Sequence, residues 1–247
     1  MRTILFVAFA ANLYAQGRGG AATPPPAPKA TGPIDLTGYW VSMVTEDWRY
    51  RMAVAPKGDA LGVPLNPTGR DAAKEWDPAK DEAAGESCKA YGAGGVMRMP
   101  TRLHITWQDD FTIKLDLDAG TQTRILNFKP TQDAGGGWQG VSTANWEIPG
   151  TPMAIGRGPA PIVGGSLKVV TTKMKPGYLR RNGIPYSANA AVTEYFERFD
   201  PPQGDPVLLV ITEVTDPMYL VTPFWTSTHF KKQRDAAGWN PTPCSVK

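Results

Sequence analysis

Alternation between apolar and polar residues is the dominant pattern of the chain beyond Leu36. It is strictest in Leu103-His104-Ile105-Thr106-Trp107 and, after Gln108-Asp109-Asp110, in Phe111-Thr112-Ile113-Lys114-Leu115-Asp116-Leu117. Successive side chains of a strand point to opposite faces, so the two runs predict a β-hairpin with one apolar face. Asp118-Ala119-Gly120 turns the chain into a third strand, Thr121 to Phe128. Further strand-like runs are Gly38 to Val44, Trp48 to Val54, Trp138 to Trp146, Ser166 to Lys173, Ala191 to Phe199, Val207 to Val214 and Tyr219 to Phe230. About nine or ten strands joined mainly by short turns predict an all-β, mainly antiparallel domain, a closed barrel or a sandwich.

Two segments break the pattern. Asn66-Pro67 and Asp77-Pro78 each offer an N-cap followed by proline at the first helical position, and Gly85 supplies a stop, so a short helical insertion is expected between 66 and 85. Residues 148–165 are rich in Gly and Pro without periodicity and predict a long loop, a candidate lid.

The N-terminus changes the picture from fold to compartment. Arg2 is followed by the apolar run Thr3 to Ala11 and small residues near Ala15, the layout of a secretory signal cleaved after Ala15. The run is too short to span a bilayer, so no membrane span is expected. Residues 16–33 are mostly Gly, Ala, Pro and Thr and predict an extended tether. Residues 34–247 remain for one domain, exported to the periplasm or beyond. In such a compartment Cys88 and Cys244 are expected to pair, and closing so long a loop contributes on the order of 5 kcal/mol at most. The formal net charge of +3 is scattered, with no basic stripe interleaved by aromatics, so nucleic acid is not an expected partner.

Candidate chemistry is sparse. There is no Gly-x-Ser-x-Gly, P-loop or His-Glu-x-x-His motif, and neither of the two histidines has a second at ligand spacing, so neither a cofactor nor a metal is implied. Gly94-Gly95 and Gly135-Gly136-Gly137 read as turns. A period of two places Arg124 on the side of Leu126 and Phe128, Glu194 with Val192 and Phe196, and Glu197 with Tyr195 and Phe199. An inward charge needs a partner, so Arg124 is expected to pair with Glu197 or Glu194 inside the barrel. Trp40 and Trp146 are candidate walls of a pocket in which Arg124 anchors an anionic head group. If the same scaffold is instead a cofactor-independent isomerase, cyclase or hydrolase, its acid and base groups come from Glu147, Glu197, His104, His229 and Tyr186. A third class, a structural or partner-binding protein, needs no cavity at all.

Asp35-Leu36-Thr37-Gly38-Tyr39-Trp40 resembles the Gly-x-Trp signature that opens the first strand of lipocalins, which implies a cup that holds apolar small molecules. Over nearly the whole mature chain, Leu36 to Trp40, Pro64-Leu65-Asn66, Trp76-Asp77-Pro78 with Cys88, Arg124-Ile125, Trp146-Glu147, Val169 to Thr172, Glu197-Arg198, Asp216-Pro217 and Pro223-Phe224-Trp225 are similar to a family of exported, β-rich proteins of soil bacteria. That likeness implies export and one continuous domain and carries no activity. Together these readings give a lipocalin-like barrel of about eight to ten strands with a short helical insertion, binding a partly apolar, anionic small molecule.

Overall fold

The computed structural model describes residues 25–149 and 164–246. Its strands are β1 (Gly38–Met43), β2 (Arg102–Asp109), β3 (Thr112–Leu117), β4 (Gln122–Asn127), β5 (Val141–Glu147), β6 (Ser166–Thr172), β7 (Gly177–Arg180), β8 (Ile184–Tyr186), β9 (Ala191–Phe199), β10 (Val207–Thr215) and β11 (Phe224–Lys232). Nine of them close a barrel in the order β1-β11-β10-β9-β6-β5-β4-β3-β2, and β7 and β8 form a separate hairpin. Closure gives each of the nine barrel strands a neighbour on both sides, so the barrel presents no open edge to a foreign strand. Its first hairpin follows the alternation residue for residue: Leu103 faces Leu117, Ile105 faces Leu115 and Trp107 faces Ile113. Every barrel contact is antiparallel except β4–β5, which are parallel over Leu126↔Ser142 and Asn127↔Thr143. A parallel pair cannot be joined by a tight turn, and residues 128–140 supply the crossover.

Two apolar clusters stabilise the chain. One fills the barrel around Trp40, Leu115, Phe196 and Phe230. The other lies at the end where β1 finishes, joining Leu65, Ala73, Leu179, Ile184, Tyr186 and Phe224. This capping layer contains α3 (Pro67–Glu75) and α4 (Pro78–Ala83). Both helices start as the sequence implies: the Asn66 side chain accepts from the Gly69 amide at 2.8 Å, and Asp77 accepts from Ala79 at 3.1 Å. Two 3₁₀ turns, Lys89–Tyr91 and Val96–Arg98, complete the layer and send Tyr91, Val96 and Met97 into the barrel core. Gly94 serves packing rather than a turn alone, because a Cβ there would stand 2.8 Å from the Tyr186 ring. Cys88 and Cys244 are disulfide-bonded, tying the C-terminal tail to this layer.

Two expectations change. Trp48 to Val54 is not a strand: Trp48–Arg51 forms a single helical turn, α2, because Arg51 turns inward to donate to the Arg98 carbonyl at 2.8 Å and the Ser42 hydroxyl at 2.8 Å. The tether expected to reach Pro33 is packed from residue 27: Pro28–Thr31 forms another helical turn, α1, with the Lys29 amide bonded to the Asp110 carbonyl at 3.2 Å. The expected signal segment and most of the expected lid fall outside the described residues.

Candidate functional site

Arg124 and Glu194 do point into the barrel, and both are fully buried. Arg124 Nη1 donates to Glu194 Oε1 at 2.9 Å, and Nη2 donates to Glu194 Oε2 and to Thr171 Oγ1, which shares a 2.7 Å bond with Ser142. The fork of the guanidinium thus meets both carboxylate oxygens, the geometry that best offsets the desolvation of two charges. The partner is Glu194 and not Glu197. The register places Glu194 between Val169 and Thr212, whereas Glu197 faces outward. Glu194 matches the charge of Arg124 inside the barrel, and Nε is the one guanidinium nitrogen of Arg124 without a hydrogen-bond partner there.

The acid and base candidates stand at separate places. His104 lies on the outer face, stacked on Tyr39 with ring centres 4.0 Å apart. His229 Nδ1 is 3.2 Å from Glu46, a partly exposed carboxylate that also pairs with Arg51. Tyr186 is buried in the capping layer, where loss of water pushes its phenol pKa up. Only Glu147 and Glu197 share a cleft, of about 490 Å³ on the outer surface, and Glu147 is paired there with Lys168 at 3.1 Å. Among the described residues, no three His, Cys, Asp or Glu side chains cluster so as to hold a metal ion.

A different cleft forms at the barrel mouth, the end where β1 begins. Trp107 at the end of β2, Phe128 after β4 and Trp146 near the end of β5 form a row, with successive ring centres 5.6 Å apart. Above them the 28–37 segment arches over the mouth. The Trp146 indole N–H donates to the Pro28 carbonyl at 2.9 Å, and Gly32 approaches so closely that a Cβ would lie 2.8 Å from the Trp146 ring. Between arch and rings lies a cleft of about 430 Å³ bounded by Lys29, Ile34, Asp35, Thr37, Trp107 and Trp146. Pockets of a few hundred Å³ with aromatic walls and a few polar groups are the usual build of small-molecule sites.

Charge in this cleft is unevenly matched. Burial opposes ionisation of Asp35, but hydrogen bonds from the Thr37 hydroxyl and amide, with Lys232 and Arg198 nearby, outweigh it and hold the carboxyl below its ordinary value. Lys232 stands over the Trp40 ring at 4.4 Å, and loss of water lowers its pKa. Lys29 has no carboxylate within 4.0 Å among the described residues. The one acid is therefore satisfied internally, and an ammonium is left over.

Of the expected pocket walls, Trp146 lines this cleft. Trp40 does not: it is fully buried beneath it, its indole N–H donating to the Leu36 carbonyl at 2.9 Å. Lys29 and Asp35 were not legible as site residues, one lying in a segment read as tether and the other known only as part of a Gly-x-Trp opening. Compared with known proteins, the chain matches no family model, no curated protein and no solved structure.

Proposed function

We propose that this is an exported, lipocalin-like binding protein that takes a small, partly apolar anion at the barrel mouth, between the Trp107–Phe128–Trp146 row and the 28–37 arch. The observation that carries the proposal is the cleft of about 430 Å³ between aromatic rings and an unmatched Lys29 ammonium. A flat or ring-containing carboxylate suits it: the ring lies against the tryptophans, and the head group reaches Lys29. Export is supported by the Cys88–Cys244 bond, which persists in oxidising compartments. Binding is preferred over catalysis because His104, His229 and Tyr186 stand apart from one another and from Glu147 and Glu197, whereas general acid–base work needs two groups facing one substrate.

Calorimetric titration with aromatic carboxylates, fatty acids and terpenoid acids tests this. Saturable binding of at least one carboxylate is expected, stronger than that of its methyl ester. Trp107→Ala should weaken it roughly 2- to 12-fold, the equivalent of about 0.5–1.5 kcal/mol for one ring contact. No binding across the panel, or binding that Trp107→Ala and Lys29→Ala leave unchanged, would overturn the proposal.

A further inference from the structure

At the opposite end of the barrel, α2 displays an inverted polarity. In its sequence Trp48-Arg49-Tyr50-Arg51 the charged Arg51 is 2 % exposed, while Trp48 stands 69 % exposed. Met52, one turn on, is 59 % exposed, and Leu61, on the following loop, 70 %. These are not ends of a slack loop. Arg49 pairs with Asp59 at 3.0 Å, and the Tyr50 hydroxyl donates to the same carboxylate at 3.3 Å. Arg180 lies 4.0 Å over the Tyr50 ring and donates to the Leu61 carbonyl at 2.9 Å. Asn182 binds the carbonyls of Pro56 and Asp59 at 2.9 and 3.0 Å. The framework holds three large apolar side chains in water while spending its buried space on guanidinium groups, the reverse of what a loop folded for its own stability does.

The charges around these residues do not balance. Arg49, Arg51 and Arg98 are matched by Asp59, Glu46 and Asp47. Among the described residues three further cations have no carboxylate within 4.0 Å: the buried Arg180, Arg181, which is half-buried with its guanidinium donating to the Arg51 carbonyl at 3.1 Å, and the exposed Lys57. A rim of exposed Trp, Met and Leu with surplus cations complements an anionic bilayer surface: the apolar side chains enter the interfacial zone, where tryptophan is favoured, and the cations meet the negative surface potential. An acidic protein would match the charge but gives no reason for three separate apolar side chains held out toward solvent.

We propose that this rim is a peripheral docking face for an anionic lipid surface, with Trp48, Met52 and Leu61 entering the headgroup layer and Lys57 facing lipid phosphates. Because α2 follows the end of β1 and the ligand cleft lies at its beginning, the docked protein would turn its mouth away from the bilayer. The inference is independent of ligand binding and uses none of the cleft residues.

Co-sedimentation of the mature chain with vesicles tests it. The protein should pellet with phosphatidylglycerol-rich vesicles and remain in solution with pure phosphatidylcholine, and added salt should reverse the binding. The double substitution Trp48→Ser/Leu61→Ser should weaken partitioning by at least about tenfold, and Lys57→Glu by roughly tenfold, with urea midpoints unchanged because all three side chains are exposed. Failure to pellet with either vesicle, as expected of a surface built for an acidic protein, would overturn the proposal. So would equal pelleting with both vesicles, or undiminished binding by the double variant.

Discussion

At the residue scale, the Arg124–Glu194 pair shows how far a period of two can be read and where it stops. Alternation puts Arg124 on the side of Leu126, and its register opposite Leu115 decides that this side faces inward. The identity of its partner does not follow. β9 is apolar on both faces, with Val192 and Phe196 on one side and Tyr195 and Phe199 on the other, and only pairing with β6 and β10 decides that Glu194 is inside. Removing one member strands a buried charge, so Arg124→Met is expected to destabilise the protein by about 3–5 kcal/mol in urea unfolding. Replacing both, Arg124→Met with Glu194→Leu, should recover most of that loss, since apolar side chains of similar volume escape the desolvation cost. If the double variant is no more stable than Arg124→Met, the pair is not the isolated internal unit its contacts describe.

Elements differ in how legible they were. The β2–β3 hairpin was, because each residue alternates and the turn is polar; so were α3 and α4, whose proline and cap residues act locally. The α2 turn was not. Trp48-Arg49-Tyr50-Arg51 alternates aromatic and charged residues and mimics a strand, and its helical course is set by distant partners of Arg51 on Ser42 and Arg98. The β7–β8 hairpin was missed because strands of three and four residues are too short to display a period. The C-terminal tail owes its place to a covalent bond and a few contacts, among them the Thr242 amide on the Asp118 carbonyl at 2.9 Å and the Ser245 amide on the Tyr91 hydroxyl at 3.2 Å. Cys88 and Cys244 are separated by 156 residues, so Cys244→Ser should cost about 2–5 kcal/mol. It should also speed hydrogen exchange at Thr242 ahead of the barrel amides. Equal stability with and without the bond would show that the tail is held by its other contacts.

For the whole molecule, a barrel and the mainly antiparallel arrangement of its strands were readable, and the identity of the closing pair, β1 with β11, was not, because it depends on curvature and on all registers together. That difference bears directly on function. From the sequence, the ligand is expected inside the barrel, with Arg124 as anchor, Glu197 or Glu194 as its partner, and Trp40 and Trp146 as walls. In the closed barrel Arg124, Glu194 and Trp40 are fully buried, Glu197 faces outward, and the cleft lined by Trp146 lies above them at the mouth. The two locations are separable by the tryptophan indole N–H signals in two-dimensional NMR, assigned by single Trp→Phe variants. On adding a saturating aromatic carboxylate, the Trp107 and Trp146 signals should shift strongly, Trp146 most if the arch moves and its bond to Pro28 changes, while the Trp40 signal stays near its original position. A shift concentrated at Trp40, with Trp107 and Trp146 unmoved, would contradict a site at the mouth and return the ligand to the barrel interior.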